Sequence, residues 1–154
     1  HKLGLKHKAI SVFLFHENKI LLQRRALSKY HTPGLWANTC CTHPYWNEAD
    51  VDCASRRLFE ELHLTELHLE NRGKIEYRAD VGQGLIEHEV VEIFTSNCAN
   101  LPKVTPNPEE VMEIRWLDQI ELAKKVKTSP DEFTPWLRIY MLKHFEQISG
   151  TITA

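Results

Sequence analysis

Three short stretches carry residue types that could do chemistry. In Arg56-Arg-Leu-Phe-Glu-Glu61, residues four apart share one face of a helix, which puts Arg57 beside Glu61. A carboxylate so placed can hold a hard divalent cation, and the guanidinium can hold a phosphate oxygen. A solvated, salt-bridged helix face would use the same residues. Glu87 and Glu89 are two apart in a stretch that reads as strand, so both carboxylates project from one face. Cys40 and Cys41 are adjacent, a spacing that rarely closes into a disulfide. One of such a pair suits a small buried hydrophobe. A thiol starts from a pKa of about 8.5 and serves as acid or base once its surroundings tune it. His43 follows closely, and His1 and His7 precede the first apolar run. His16, His31, His63, His88 and His144 read as ordinary surface or core residues.

The elements that must position these groups follow from hydrophobic periodicity. Ala9 to Phe15 is apolar and β-rich and predicts a strand buried on both faces. A polar break from His16 to Lys19 leads into a returning strand from Ile20 to Arg25, and Pro33-Gly34 marks a turn. Trp36 to Cys40 predicts one short strand. Asn47 is the expected N-cap of a helix whose first turns hold Glu48, Asp50 and Asp52, with Val51, Ala54, Leu58 and Leu62 on its apolar stripe. Gly73 to Ala79 and Ile86 to Thr95 predict a strand pair around Gly82-Gln-Gly84. A proline-bearing loop from Asn97 to Pro108 precedes a strand from Val111 to Leu117. Asp118 to Lys125 and Thr134 to Gln147 predict two helices, the second with Trp136, Ile139, Tyr140 and Phe145 available to pack. Trp36, Trp46 and Trp116 read as packing residues.

The 154 residues suit one domain over 1–154, without repeats or linkers. A formal net charge of -2 argues against a general nucleic-acid binder. No apolar run reaches membrane-span length, and four cysteines without a CxxC pair read as reduced thiols of a cytoplasmic protein. The chain opens at His1 without a methionine, so an upstream segment is expected to be missing. The order of elements predicts an α/β (α+β) fold in which helices cover a mixed β-sheet.

From Thr42 to Leu64 the sequence resembles the Nudix box. Glu48, Arg56, Leu58, Glu60, Glu61 and Leu64 fall in register, while Thr42, Arg57 and His63 replace its first Gly, a Glu and its last Gly. Asn47 stands where a Gly is common. The segments Ala9-Ile-Ser-Val-Phe-Leu-Phe15, Gln23-Arg-Arg-Ala-Leu-Ser-Lys29, Pro33-Gly-Leu-Trp-Ala-Asn-Thr-Cys-Cys-Thr-His-Pro44 and Glu87-His-Glu89 are together very similar to the type 1 isopentenyl diphosphate isomerases, members of the Nudix superfamily. The likeness runs from His1 to about Trp136, and the lack of the box glutamate at Arg57 fits that family.

The resemblance implies a Nudix-like α/β/α sandwich and an enzyme that interconverts isopentenyl and dimethylallyl diphosphate through a 1,3-proton shift. It implies a divalent metal (Mn²⁺, Zn²⁺ or Mg²⁺) on His1, His7, His43, Glu87 and Glu89. It also implies a Mg²⁺, carried in with the diphosphate, on Glu61 and the Cys41 carbonyl. Cys41 is the implied catalytic thiol, Glu89 the second proton-handling group, and Tyr77 a relay or orienting group. Trp136 is assigned to the cationic intermediate, and Arg25, Lys29 and Arg57 to the diphosphate. A further lysine used by relatives would lie upstream of His1. A monomer acting on a small isoprenoid diphosphate, away from nucleic acid and membrane, is the expected setting. A Nudix hydrolase of a nucleoside diphosphate derivative shares the fold but would want a carboxylate at Arg57, and a non-catalytic Nudix-like binding module would predict loss of the thiol or the ligands.

Overall fold

The computed structural model describes residues 6–29, 31–82 and 84–150. The chain forms β1 (Lys6–His16), β2 (Lys19–Arg25), β3 (Trp36–Ala37), β4 (Cys40–Thr42), α1 (Asp50–Leu62), β5 (Glu70–Gly82), β6 (Leu85–Asn97), β7 (Val111–Asp118) and α2 (Gln119–Thr128). A single 3₁₀ turn then leads to α3 (Pro135–Ile139), a π turn (Tyr140–His144) and α4 (Phe145–Ser149).

The seven strands make one mixed sheet. β1 runs parallel to β6 from Lys6↔His88 to Phe15↔Asn97, β6 pairs antiparallel with β5, and β2 pairs antiparallel with β7. β1 and β2 pair directly only at their hairpin end, Phe15↔Ile20 and His16↔Lys19, and then splay. β4 occupies the freed edge of β1, and β3 that of β2. One predicted strand from Trp36 to Cys40 is therefore two short strands broken at Asn38-Thr39, because each half serves a different neighbour. The break is a polar wedge. Asn38 donates to the carbonyls of Val12 and Cys40 at 3.0 and 2.9 Å. Thr39 Oγ1 accepts from the Leu14 amide at 2.9 Å and donates to the Leu21 carbonyl at 2.7 Å. Every hydroxyl and amide bond in it satisfies backbone that splaying would otherwise leave unpaired in the interior.

Strand periodicity sorts the core into two layers. Ile10, Val12, Leu14, Leu21 and Cys40 face Cys53, Ala54, Leu58 and Leu62 of α1. Ala9, Phe13, Phe15, Val91 and Ile93 face Leu122 and Val126 of α2 and the segment from Trp136 to Ile148. The result is the expected α/β/α sandwich. α1 begins at Asp50 with Ala49 as its N-cap and no side-chain cap, rather than at Asn47. Asn47 instead adopts φ 64°, and His63 ends the helix at φ 55°. Both therefore take the left-handed turn for which the Nudix box uses glycine; such backbone is least strained for Asn among non-Gly residues. The helix start moves the apolar stripe as well: Cys53 is buried, whereas Val51 is exposed. Asp118 caps α2 by accepting from the amides of Ile120 and Glu121. The final predicted helix is divided into α, π and α pieces, its winding changing at Tyr140 and again at Phe145. Trp36 packs in the core, but Trp46, expected to pack, is 92% exposed. Among the described residues no helix is long and apolar enough to cross a membrane.

Candidate active site

A cavity of about 310 Å³ opens against the sheet between α1, which lends it Arg57 and Glu61, and α3, which lends it Trp136. Cys41 and Glu89, drawn from β4 and β6, both line it, as do Glu87, His43, Arg25, Lys29, Arg57, Glu61 and Trp136. Sheet geometry explains the convergence. In β4 Cys40 points under α1 and is fully buried, so Cys41 must point the other way, into the cavity. In β6 Glu87 and Glu89 share the face of Val91 and Ile93, and β1 places His7 directly across from Glu89.

One group of lining residues gathers titratable side chains. Tyr77, across from Glu89 on β5, donates its hydroxyl to Glu87. His43 Nε2 lies 2.8 Å from Glu89 Oε1, and the His7 ring centre is 6.2 Å from that of His43, edge to face. Burial pushes the Glu87 carboxyl above the carboxylate range, with the Tyr77 hydrogen bond opposing it. The hydrogen bond to Glu89 raises the His43 imidazole. Burial pushes the Cys41 thiol far up, the Glu87 carboxylate pushes the same way, and a hydrogen bond from Ser11 pulls back. Trp136 is 1% exposed and presents its ring to Arg25, whose guanidinium carbon stands 5.3 Å from the ring centre.

The basic lining residues form a charged clasp. Arg57 donates to Glu61 at 2.6 Å, as the four-residue spacing requires, and to Glu60 at 2.8 Å. It also reaches Glu110 at 3.1 Å, and Lys29 makes an ion pair with the same Glu110. Burial works against charge on Glu110, yet Lys29 and Arg57 hold its carboxyl below the usual carboxylate range. Glu61 is 4% exposed, so it is no solvated surface residue; Gln23 Nε2 donates to it at 2.8 Å and to the Thr39 carbonyl at 2.7 Å.

Two of these partners, Glu110 and Gln23, were given no role from sequence, and His31, read there as an ordinary surface or core residue, joins the site. His31 lines the cavity with its ring 6.0 Å from that of Trp136. Burial, helped by the Arg25 charge, lowers its pKa to about 4, so the imidazole is neutral near pH 7. The Arg-Arg-Ala-Leu-Ser-Lys segment places His31 just beyond Lys29, and that proximity is the sequence feature that could have found it.

Of the five expected metal ligands, His1 lies outside the described residues. Among the described residues, no group of three or more His, Cys, Asp or Glu side chains stands ready to hold a metal ion. The donors are nonetheless of the right kind, imidazole nitrogen with carboxylate oxygen, for Mn²⁺, Zn²⁺ or Mg²⁺. His43 and Glu89 are bonded to each other and Glu87 to Tyr77, so a cation would exchange those bonds for its own.

Residues 5–137 match the NUDIX domain family. The chain is 59% identical over 152 residues to an isopentenyl-diphosphate Delta-isomerase of Dinoroseobacter shibae, covering 99% of this chain and 86% of that protein. It is 53% identical over 154 residues to the one of Rhodobacter capsulatus, covering 100% and 88%. Among solved structures it superposes on a MutT protein from Methanosarcina mazei with TM-score 0.69 and 14% identity, covering 88% and 90%. It also superposes on the NUDIX domain of Shewanella oneidensis NrtR, complexed with ADP ribose, with TM-score 0.69 and 17% identity, covering 97% and 90%. At such identities these structures speak for the fold alone. The chain belongs to the isopentenyl-diphosphate Delta-isomerase family of the Nudix superfamily.

Proposed function

We propose that this cavity interconverts isopentenyl diphosphate and dimethylallyl diphosphate by protonating one carbon of the substrate and deprotonating another. The chain is an isomerase by family; the roles of its residues are our reading. The carrying observation is that Cys41 and Glu89, from different strands, line one small cavity with a cationic rim. An allylic 1,3-shift needs two proton-handling groups on different sides of the substrate. Cys41 supplies one. Glu89 supplies the other, with Tyr77, whose hydroxyl bonds Glu87, to relay or orient a proton. Trp136 and the buried walls exclude water and offer an aromatic face to the electron-poor carbon; a desolvated cation–π contact contributes ~2 kcal/mol. Arg25, Lys29 and Arg57 grip the diphosphate.

His7, His43, Glu87 and Glu89, joined by His1, would hold the divalent metal. Glu61 and the Cys41 carbonyl would hold the Mg²⁺ accompanying the diphosphate. When bound, the metals fix the carboxylates and neutralise anionic charge. Four free thiols support a reducing, cytoplasmic setting, and the net charge of -2 supports a small-molecule partner over nucleic acid. A monomer is the proposed working unit.

The test is incubation with isopentenyl diphosphate and Mg²⁺, assayed for the acid-labile allylic isomer. Appearance of dimethylallyl diphosphate supports the reading. Phosphate release from a nucleoside diphosphate derivative, with no allylic product, would replace it with a hydrolase.

A further inference from the structure

One buried polar chain next to Cys41 has no part in the scheme above. Ser11 stands in the middle of β1 among Ile10, Val12 and Phe13, fully buried. A buried hydroxyl is costly unless hydrogen-bonded. The backbone of this stretch is already committed to β4 and β6. The Ser11 hydroxyl therefore turns to side chains. It donates to Cys41 Sγ at 3.3 Å and lies 2.9 Å from the Tyr140 hydroxyl oxygen. With the serine proton on sulfur, the phenol must donate to Ser11 Oγ. The chain runs one way, from Tyr140 through Ser11 to the sulfur.

Tyr140 is itself fully buried and held in place. Its ring meets Phe13 and Tyr77 edge to face, with centres 5.8 and 5.9 Å away. It also opens the π turn Tyr140–His144. Such turns add a residue to the helical winding and re-aim side chains, frequently at functional sites.

We propose that Ser11 and Tyr140 are positioning residues for the Cys41 thiol. The chain engages the sulfur as an acceptor and fixes its rotamer, so the S–H bond is left to point into the cavity at the substrate carbon. Neither residue touches the substrate. The inference rests on the assignment of Cys41 as a proton-handling group. Its energetic logic is orientation: a reacting group held in line gains rate that a freely rotating one lacks, and aligned hydrogen bonds in a dry site reinforce one another.

The test uses Ser11→Ala, Ser11→Thr, Tyr140→Phe and the Ser11→Ala/Tyr140→Phe double variant, with Cys41→Ala as reference. Two quantities are read: kcat and KM for isopentenyl diphosphate, and the infrared S–H stretching band isolated by difference against Cys41→Ala. Ser11→Ala should lower kcat on the order of 10- to 100-fold while KM moves by less than about a factor of two. Tyr140→Phe, which keeps the packed ring, should lower kcat by about 5-fold. Ser11→Thr should recover most of the rate, because it restores the hydroxyl. The double variant should be no slower than Ser11→Ala alone, since Tyr140 acts only through Ser11. The S–H band should shift in both single variants lacking a hydroxyl. An unmoved band, a loss carried by KM, or losses that multiply in the double variant would overturn the proposal. If Ser11→Ala does not fold, Tyr140→Phe decides. A Cys41→Ala enzyme that still isomerises would bring down the thiol assignment and this inference together; a dead Cys41→Ala beside a normal Ser11→Ala would bring down the inference alone.

Discussion

Cys40 and Cys41 are neighbours in β4, yet they belong to opposite faces of the sheet. The Cys40 face is packed mainly with aliphatic side chains against α1, with Gln23 bonding Glu61 at its edge. The Cys41 face interrupts its aromatic core with Ser11, Tyr77, Glu87 and Glu89, all buried. Strand parity thus separates the two thiols: in β4 the α1 side takes Cys40 into an aliphatic layer, and the other side turns Cys41 toward buried titratable groups, which accept the desolvation that this entails, while α1 reaches the same cavity through Arg57 and Glu61.

The sharpest way to break this comparison is to treat the two thiols alike. Cys41→Ala should lower isomerisation by on the order of 1,000-fold, the scale of a lost general acid or base. Cys40→Ala should keep the rate and lose about 1 kcal/mol of stability, as for one small buried group. Equal rate losses in the steady-state assay would mean that parity does not separate chemistry from packing here.

Leu58→Ala tests the same division from the α1 side. Leu58 is 1% exposed and central to that layer. Its truncation should remove about 2–5 kcal/mol of stability. Below the unfolding transition, kcat per folded molecule should stay unchanged. Denaturant unfolding and active-site-normalised rates read the two quantities separately. A fall in kcat without a fall in stability would show that the α1 layer tunes the cavity directly.

Local geometry was legible in the sequence, and long-range pairing was not. The two-residue period of Glu87 and Glu89 and the four-residue period of Arg57 and Glu61 need only a strand and a helix. The structure keeps both. The strand from Ala9 to Phe15 was equally visible, as was the turn at Pro33-Gly34. What periodicity could not supply was the splay of β1 from β2, which splits Trp36 to Cys40 into two strands around Asn38-Thr39. Nor could it find Tyr140 beside Ser11, 129 residues away, or Glu110 beside Lys29, 81 residues away. Exposure of Val51 and Trp46 was missed for a related reason: a helix that begins at Asp50 turns a different stripe inward, and Trp46 precedes it in an exposed turn. The choice of Cys41 over Cys40 came from family resemblance alone, and the facing of β4 now supplies a physical reason for it.

His31 offers a test that depends on pH. Its imidazole falls from 6.5 to about 4 because burial and the Arg25 charge disfavour the cation. Between those two pH values the unfolded chain binds a proton that the folded chain refuses. Stability therefore falls as pH drops from 6.5 and levels off below about 4. The full contribution is at most about 3 kcal/mol. Thermal melts of the wild type and His31→Gln across this range should converge toward acid pH. Parallel curves would mean that His31 titrates as an exposed histidine and that the cavity floor beside Trp136 is wet.

The smallest effect concerns the clasp at the rim, where the two layers meet. Lys29 and Arg57 are both engaged by Glu110, so an incoming diphosphate must compete with an anion already in place. Partly exposed pairs of this kind are worth about 1 kcal/mol or less. Glu110→Gln removes the negative charge and leaves a side chain of the same shape. Inorganic pyrophosphate should then bind about 5-fold more tightly in a calorimetric titration, because two cations lose a competitor and the rim gains net positive charge. Weaker binding would reverse the interpretation: Glu110 would serve to hold Lys29 and Arg57 at the spacing of two phosphates, and the ordering it imposes would outweigh the charge it cancels.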